Sequence, residues 1–323
     1  MRAALAERMS DGAERDTPKR ASGGLGCEAQ RICGMVLNTS AFGAFTRMLL
    51  VAAMGLSACG GGAPAAPRTN TGQPSSQPSP PVGAPTWEWI LQASGLPATP
   101  VQVTYLNVDG FDTPAAYVRS ANARGIKTIC YISVGTAEDF RSDFVQFRSL
   151  PNVVGRPISG FPGDFYLNIN LYPQFISIMD ARLEMCRSKG FSYVEFDVMD
   201  AYQDGESITG FSISRARTIA YVSDLVRRTN AYGMQAIQKN ADDLSSELQP
   251  IFGAVLFEEC IRLNFCAAAA PYVAAGKPAL NAEYPSEWRP GAFDRTQVCR
   301  TSSNAGVATI ITTLGLDAPA DRC

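Results

Sequence analysis

The sequence of 323 residues contains no histidine. This absence excludes Ser-His-Asp triads, Cys-His dyads and zinc sites with histidine ligands. Acid–base chemistry must therefore come from aspartate, glutamate, lysine, tyrosine or cysteine side chains. An enzyme of this composition is expected to use carboxylates.

Several other features are absent from the chain. The formal net charge is -2, so there is no basic footprint for nucleic acid and that class of partner is set aside. No CxxC pair is present, which argues against zinc ribbons and thioredoxin-like sites. The sequence also lacks a Gly-rich phosphate loop and a calcium-binding loop, so we expect neither a metal nor an organic cofactor.

An export signal is predicted close to the N-terminus. The segment "RMLLVAAMGLSAC" (47–59) places an arginine before a short apolar run that ends in Leu-Ser-Ala-Cys. This layout is typical of a secretory signal, and the run is too short to cross a bilayer comfortably as a helix. Leu-Ser-Ala-Cys resembles a bacterial lipoprotein box, in which Cys59 is lipidated and anchors the protein in the membrane. An ordinary signal peptide with a chance cysteine, or a buried helix, is the alternative.

Composition divides the chain into four predicted segments. Residues 59–86 are rich in Pro, Gly and Ser and are interpreted as a tether, because such a segment buries too little apolar surface to fold. The four segments are an N-terminal extension or misassigned start (1–34), a lipoprotein signal peptide (35–58), the tether (59–86) and one folded domain (87–323). The predicted location is the bacterial cell envelope, facing either the periplasm or the cell exterior, and the predicted state is a lipid-anchored monomer.

Six of the nine cysteines lie in the predicted domain. An even number in an exported protein favours disulfides, although six cysteines permit fifteen connectivities. The preferred pairs are Cys260 with Cys266, Cys299 with Cys323, and Cys130 with Cys186. The alternative for the last pair is two buried free thiols.

From residue 87 onward, short apolar runs alternate with amphipathic segments. Eight strands are predicted, at 101–107, 127–135, 164–169, 193–198, 234–240, 253–259, 277–284 and 307–315. Helices are predicted at 113–125, 173–190 and 212–233, with shorter ones at 241–249, 265–276 and 291–304. Alternation of this kind implies a parallel sheet, and eight units in about 235 residues fit a (β/α)8 TIM barrel. The alternative, an open doubly wound sheet, usually has a Gly-rich loop after its first strand, and none is found here.

Polar side chains collect at the carboxyl ends of the predicted strands, where barrel enzymes place their catalytic residues. The segments "GFSYVEFDVMDAY" (190–202) and "GAVLFEEC" (253–260) each run from an apolar strand into carboxylates. The candidate site residues are Asp109, Asp112, Tyr131, Asp197, Asp200, Tyr202, Lys239, Asn240, Glu258, Glu283 and Tyr284. Carboxylates, amides and aromatic rings at one mouth are typical of a polysaccharide-binding site.

Two carboxyls that flank the scissile bond are the requirement of most glycoside hydrolases. Asp197 and Glu258 end strands that are next-but-one neighbours around the barrel, so they can face each other across its mouth. Glu259 should point to the opposite face of its strand. Glu195 is expected to pair with Lys239 inside the barrel.

Seven segments resemble glycoside hydrolase family 114, the endo-α-1,4-polygalactosaminidases, which are (β/α)8 barrels. In chain order these are "VTYLNVDGFDT", "GIKTICYISVGTAEDFR", "GDFYLNI", "IMDARLEMCRSKGFSYVEFDVMDAY", "IQKN", "LFEECIRLNFC" and "KPALNAEY". The resemblance implies that Asp197 and Glu258 are the catalytic pair and that cleavage retains the configuration. We assign Asp197 as nucleophile and Glu258 as acid/base, and the reverse order is the alternative. The resemblance also implies that Asp109, Lys239, Asn240 and Glu283 contact the substrate.

Three segments depart from the family pattern. The usual "EPDN" reads "EFDV" here, with Phe196 and Val198, and Phe257 replaces an asparagine before the second catalytic residue. The usual W-x-G-E-x-W segment reads "FPGDFY" (161–166). Because two amide side chains are lost, a non-hydrolytic polysaccharide-binding lipoprotein with a degenerate cleft is the alternative function.

Overall fold

The computed structural model describes residues 85–323. The predicted signal peptide, the predicted lipidation site at Cys59 and all but the last two residues of the predicted tether lie outside the described residues. Within residues 85–323, no helix is long and apolar enough to cross a membrane.

Strands and helices alternate along the described residues. The strands are Trp87–Ile90 (β1), Tyr105–Asp109 (β2), Lys127–Ser133 (β3), Thr136–Glu138 (β4), Val154–Pro157 (β5), Asp164–Leu167 (β6), Tyr193–Asp197 (β7), Gln235–Lys239 (β8), Ala254–Glu258 (β9), Ala279–Glu283 (β10), Ala308–Ile311 (β11) and Asp321–Arg322 (β12). The α-helices are Ala115–Ala123 (α1), Phe144–Ser149 (α2), Tyr172–Lys189 (α3), Glu206–Thr209 (α4), Arg215–Ala231 (α5), Ser245–Leu248 (α6), Ala270–Ala274 (α7) and Arg295–Ala305 (α8).

Eight parallel strands form the wall of a (β/α)8 barrel, which confirms the predicted fold class. Their order in the sheet is β1-β2-β3-β7-β8-β9-β10-β11, and β12 adds an antiparallel edge to β11. The first and last parallel strands meet where the indole nitrogen of Trp87 donates to the carbonyl of Ala308 at 2.8 Å. Just beyond β1, the backbone N–H of Leu91 donates to the carbonyl of Leu316 at 2.8 Å.

The prediction of a barrel strand at 164–169 is wrong. Residues Asp164–Leu167 instead form the centre of a separate antiparallel sheet with the order β4-β6-β5. The missing barrel strand is β1, Trp87–Ile90, which pairs in parallel with β2. Hydrophobic alternation identifies a strand but carries no information about which sheet it joins. The four-residue β1 also contains Glu88, which is buried and bonded to Arg322 at 2.9 Å, so its pattern is not that of an apolar strand.

Side chains of the wall alternate between the barrel interior and the helices outside. On β7, Tyr193 packs in the inner apolar cluster, whereas Val194 and Phe196 pack in the outer one. On β9, Leu256 belongs to the inner cluster and Phe257 to the outer one. Period-two alternation therefore directs the carboxyl groups that end both strands toward the interior.

The disulfide pairing predicted from the sequence is confirmed. Cys130–Cys186 joins β3 to α3, with Cα atoms 5.9 Å apart. Cys260–Cys266 closes the loop that follows β9, and Cys299–Cys323 joins α8 to the C-terminal residue. The Cys260–Cys266 disulfide therefore anchors a loop that adjoins the carboxyl end of a barrel strand.

Candidate active site

The centre of the barrel mouth is occupied by Lys239, the last residue of β8. Its ammonium donates to Oδ1 of Asp197 at 3.0 Å and to Oε2 of Glu258 at 2.8 Å. Asp197 ends β7 on one side, and Glu258 ends β9 on the other. Three adjacent strands therefore bring the two predicted catalytic carboxylates onto one shared cation.

Glu258 is held by two further side chains. Oε1 accepts a hydrogen bond from the hydroxyl of Tyr284 at 2.6 Å, and Oε2 accepts another from the amide of Asn240 at 3.0 Å. The carbonyl oxygen of the Asn240 side chain in turn accepts from the backbone N–H of Glu258 at 3.0 Å. These contacts fix the plane of the carboxyl group.

Asp197 is oriented from the opposite side of the mouth. The hydroxyl of Tyr131, which points inward from β3, donates to Oδ2 of Asp197 at 2.8 Å. Lys239 holds the other oxygen, so both oxygens of the carboxylate have a fixed donor. The carbonyl of Asp197 also accepts the backbone N–H of Val134 at 2.9 Å, which ties β7 to the segment after β3.

The backbone turns sharply after each of these three strand ends. Val198, Asn240 and Glu259, which follow the three site residues, have φ values of 56°, 48° and 57°. Asparagine tolerates this left-handed region, whereas a β-branched valine is strained there. The turn at Val198 lies so close to Gly135 that a β-carbon on Gly135 would lie 1.9 Å from the Val198 carbonyl oxygen. Strain of this kind is found mainly at functional sites.

Mutual proximity sets the charges of the central groups. Burial would lower the pKa of Lys239, but the carboxylates of Asp197, Glu258 and Glu195 raise it, so Lys239 is a cation. Burial would raise the pKa of Glu258, and the Lys239 ammonium lowers it, with the net result below the usual glutamate range. The arrangement can supply one ionised carboxylate as a nucleophile beside a second carboxyl that can exchange a proton.

The sequence of the chain matches a known protein family. The model of glycoside-hydrolase family GH114 matches residues 66–323. The chain belongs to this family. Family membership and the barrel make the protein a glycoside hydrolase.

Individual relatives agree with the assignment to GH114. An uncharacterised protein of Deinococcus radiodurans is 30% identical over 228 residues, which span 61% of this chain and 70% of that protein. The crystal structure of Aspergillus fumigatus Ega3 in complex with galactosamine matches with a TM-score of 0.67 and 27% identity, over 74% of this chain and 95% of Ega3. The glycoside hydrolase domain of PelA from Pseudomonas aeruginosa has the same fold, with a TM-score of 0.56 and 16% identity, over 73% of this chain and 98% of that domain.

Two of the departures from the GH114 pattern lie away from the mouth. Phe196 packs against Phe252 on the helix side of the barrel, with ring centroids 5.7 Å apart. Phe257 packs in the same layer against Phe265 at 5.4 Å. Val198, the other change in the EFDV segment, occupies a left-handed turn that favours asparagine for conformational reasons. The loss of the two amide side chains is therefore weaker support for a degenerate cleft than the sequence suggested.

Asp109 and Asp112 lie apart from the catalytic pair and share Arg141. Both oxygens of Asp109 contact this guanidinium, at 3.1 and 2.5 Å, and one also accepts the backbone N–H groups of Phe111 and Asp112. Asp112 contacts Arg141 at 3.0 Å, but its side chain is 63% exposed. Asp109 therefore shapes the loop after β2, whereas Asp112 remains open to solvent, and a substrate contact by either residue stays a prediction.

The remaining candidates line other parts of the rim. Glu283 is fully buried, where it accepts the backbone N–H of Ile261 at 2.9 Å and thereby supports the loop after β9. Tyr202 donates its hydroxyl to Asp243 across the rim. Asp200 is buried in the turn that precedes Tyr202. Direct contact of these three residues with substrate stays a prediction.

The structure adds residues that the sequence analysis did not select. Asn107 on β2 donates to Oε2 of Glu195 at 2.5 Å below the catalytic pair, and Lys239 lies over the ring of Trp89 at 5.1 Å. Arg141 joins the loop after β2 to Glu138 of the small sheet at 3.4 Å. Glu195 itself was predicted from the sequence to pair with Lys239, and its Oε1 lies 3.9 Å from that ammonium.

A carboxyl of the small antiparallel sheet also faces this region. Burial and the carboxylates of Glu138 and Asp197 raise the pKa of Asp164 to about 7. Asp164 is the cross-strand partner of Glu138 in this sheet. Its raised pKa therefore results first from burial and second from the neighbouring carboxylates. Within the described residues, no group of three or more Cys, Asp or Glu side chains is arranged to hold a metal ion.

Proposed function

We propose that this protein is an endo-acting hydrolase of α-1,4-linked polysaccharides that contain galactosamine, and that it retains the anomeric configuration. Asp197 acts as the nucleophile and Glu258 as the acid/base. The observation that supports this proposal most strongly is the shared contact of both carboxylates with the Lys239 ammonium, at 3.0 and 2.8 Å.

The shared contact limits the distance between the two carboxylates. Oδ1 of Asp197 and Oε2 of Glu258 contact one nitrogen atom, so they lie within about 6 Å of each other, near the roughly 5–5.5 Å of retaining enzymes and below the roughly 6.5–9.5 Å of inverting ones. An inverting enzyme needs the larger gap for a water molecule. The geometry therefore favours a covalent glycosyl-enzyme intermediate.

The proposed reaction has two steps. First, an oxygen of Asp197 forms a bond to the anomeric carbon while Glu258 gives its proton to the departing glycosidic oxygen. Second, Glu258 takes a proton from water, the water oxygen bonds to the same carbon, and the bond to Asp197 breaks. Tyr131 and Lys239 hold Asp197 at the start of the first step and stabilise the carboxylate that returns at the end of the second.

Glu258 must carry a proton at the start of the first step. In the described structure the ammonium of Lys239 opposes this protonation. Substrate that excludes water from the mouth raises the pKa of a carboxyl by desolvation. A shift of Lys239 toward Asp197 would act in the same direction. The role of Glu258 as acid therefore depends on how Lys239 divides its contacts.

Two observations support an amino sugar as the substrate. The relative Ega3, which is 27% identical, was crystallised in complex with galactosamine. The mouth also has an excess of negative charge, since the carboxylates of Asp197 and Glu258 share one ammonium. A polymer with free amino groups is cationic and is attracted to such a mouth.

Product analysis by mass spectrometry tests the proposed reaction. The purified full-length protein is incubated with α-1,4-galactosamine polymer in its deacetylated and N-acetylated forms, beside Glu258→Gln. The control is Glu184→Gln, an exposed glutamate of α3. Oligosaccharides of several lengths from wild type and the control, but not from Glu258→Gln, are expected. Products from Glu258→Gln would show that another group is the acid, and binding without any products would replace the hydrolase by a polysaccharide-binding protein.

The proposal places this hydrolase at the bacterial cell envelope through a lipid on Cys59. Three disulfides in the folded domain fit an oxidising compartment of this kind. Radiolabelled palmitate should label the wild-type protein in cells and should fail to label Cys59→Ser. Equal labelling of both proteins would contradict anchoring at Cys59.

A further inference from the structure

A third carboxyl group lies in the barrel below the catalytic pair. Glu195 is two residues before Asp197 on β7, so both side chains point into the barrel. Glu195 is fully buried, and its Oε1 lies 3.9 Å from the ammonium of Lys239. The proposed reaction assigns this group no role.

Charge balance makes three ionised carboxylates at this place unfavourable. Asp197, Glu258 and Glu195 together would carry three negative charges, and Lys239 supplies one positive charge. Buried carboxylates that share a site do not all ionise, because their negative charges repel each other. One of them therefore keeps a proton. Asp197 and Glu258 contact Lys239 at hydrogen-bond distance, whereas Glu195 does not. Glu195 is therefore the member of the cluster that is least stabilised as an anion.

The hydrogen bonds of Glu195 agree with a neutral carboxyl. Oε2 contacts the side-chain amide of Asn107 at 2.5 Å, and Oε1 has no hydrogen-bond partner. An ionised carboxylate without donors on one buried oxygen is costly. An asparagine side chain can donate through its nitrogen or accept through its oxygen, so Asn107 can pair with either protonation state of Glu195.

We propose that Glu195 is a positioning residue that holds a proton in the active enzyme, and that its ionisation sets the alkaline limit of the hydrolysis. A neutral Glu195 leaves the Lys239 ammonium free to stay with the nucleophile, Asp197. An ionised Glu195 competes for that ammonium from 3.9 Å and draws it away from Asp197. The inference rests on the proposed hydrolase function.

The groups that face Glu195 act in the expected directions. Burial is the largest effect and raises its pKa to about 8, and the Asp197 and Glu258 carboxylates add to the increase, while Lys239 and Asn107 oppose it. The other titratable groups that interact with it are Tyr131 and Tyr284. Burial raises the pKa of both phenols well above the ordinary tyrosine value, so they stay neutral across this range.

A titration by NMR tests the proton directly and needs no turnover. The full-length protein is labelled with carbon-13 at the glutamate side-chain carboxyls, and the signal that is missing from Glu195→Gln identifies Glu195. This signal is expected to titrate near pH 8 in wild type, far above the exposed carboxyl of Glu184. A midpoint in the ordinary glutamate range would overturn the proposal.

The dependence of hydrolysis rate on pH tests the positioning role. In Glu195→Gln the alkaline fall in kcat should move upward by about one pH unit or more, because the ionising group is gone. Asn107→Ala removes a donor that favours the ionised form, so its alkaline limb should move in the same direction by less. Glu184→Gln is the control, with an unchanged profile. An alkaline limb that stays in place in both Glu195→Gln and Asn107→Ala would overturn the positioning role.

The two tests separate this inference from the function on which it rests. If the wild-type protein releases no product from any polymer, the proposed hydrolase function fails, and the role of Glu195 in catalysis fails with it. The titration still decides whether Glu195 holds the proton. If Glu195→Gln is poorly folded, Asn107→Ala gives the same comparison without a change at Glu195.

Discussion

The cluster around Lys239 and the cluster around Arg141 and Arg182 both consist of buried carboxylates held by cations, and they differ in balance. Lys239 is one ammonium among Asp197, Glu258 and Glu195. In the second cluster, two guanidinium groups serve three buried carboxylates, those of Asp109, Glu138 and Asp143. The mouth of the barrel thus combines a cluster that is short of positive charge with one that is closer to neutral.

The two clusters also differ in the geometry of their cations. Arg141 contacts both oxygens of Asp109, at 3.1 and 2.5 Å, and Arg182 contacts both oxygens of Asp143, at 2.7 and 3.0 Å. These forked pairs fix the loops after β2 and β4. An ammonium is a point charge on a flexible stem, so Lys239 can redistribute its contacts as the charges around it change. The comparison indicates that the arginines stabilise the rim and that Lys239 responds to the reaction.

The largest effect is expected at the catalytic pair of the Lys239 cluster. Asp197→Asn and Glu258→Gln should each lower kcat by about 10²–10⁴-fold or more, because each removes the nucleophile or the proton donor. Substrate affinity, measured by calorimetry, should change little. The control is Asp112→Asn, which changes an exposed carboxylate that contacts Arg141 at the edge of the other cluster. An equal loss of kcat in Asp112→Asn would contradict the division of roles.

The next effect concerns stability and belongs to the arginine cluster. Arg182→Met leaves Asp143 and the carbonyl of Ser133 without their buried donor. Removal of one partner from a buried ion pair costs about 3–5 kcal/mol, so the free energy of unfolding should fall by this amount in urea denaturation. Arg187→Met, which removes an exposed arginine of the same helix that is paired with Glu184, should change the free energy of unfolding far less, because solvent screens an exposed ion pair. An equal fall in the free energy of unfolding for both variants would mean that the buried ion pair of Arg182 stabilises the fold no more than the exposed pair of Arg187.

A smaller effect, with a defined pH dependence, is expected for Glu195. Its pKa is raised from 4.5 to about 8, so the folded state keeps a proton that the unfolded chain loses in this range. The contribution of Glu195 to the free energy of unfolding is fully present below pH 4.5 and is lost as the pH rises toward 8. Glu195→Gln has no such loss. Its Tm relative to wild type should therefore increase from pH 4.5 to pH 8.

The control for this pH series is Glu184→Gln, which changes an exposed glutamate outside both clusters. Its Tm relative to wild type should show no increase across the same range. A constant difference between Glu195→Gln and wild type would mean that Glu195 titrates alike in the folded and unfolded states.

The smallest effect is expected at the strained turn beside the catalytic nucleophile. Val198 has a φ of 56°, a conformation that costs an L-residue other than glycine or asparagine about 1–2 kcal/mol. Val198→Asn should therefore increase the free energy of unfolding by about 1 kcal/mol, measured by urea denaturation. Val145→Asn, a change at a 70% exposed helical position, should give no increase. A loss of stability in Val198→Asn would show that contacts of the valine side chain outweigh the strain.

Much of the fold was predictable because it depends on local periodicity. Alternating apolar runs and amphipathic segments indicated a barrel. The disulfide pairs that were preferred for their spacing are the ones that the structure contains, although the sequence left two free thiols at Cys130 and Cys186 as the alternative. The assignment of Asp164–Leu167 to the barrel failed because apolar patterning does not identify the pairing partner of a strand. The sequence analysis did not predict β1 as a barrel strand, because Glu88 interrupts an otherwise apolar run.

Periodicity also placed part of the candidate site. Alternation put Glu258 on the inner face of β9 and Glu259 outside the site, where it pairs with Arg262 at 2.6 Å. The contact of Asp197 and Glu258 with Lys239 was not predicted, because it depends on distances between strands that are separated in the chain. The same is true of Asp109, which the sequence presented as a rim acid and the structure binds to Arg141.

The sequence by itself determined the chemistry that is available, namely carboxylates without histidine at the ends of parallel strands. It also determined the direction of each side chain along a strand, because this depends only on the period of two. The tertiary structure alone decided which strands close the barrel and that three carboxyls surround one ammonium. Charge state depends on burial and on distances through space, and these exist only once the strands are assembled.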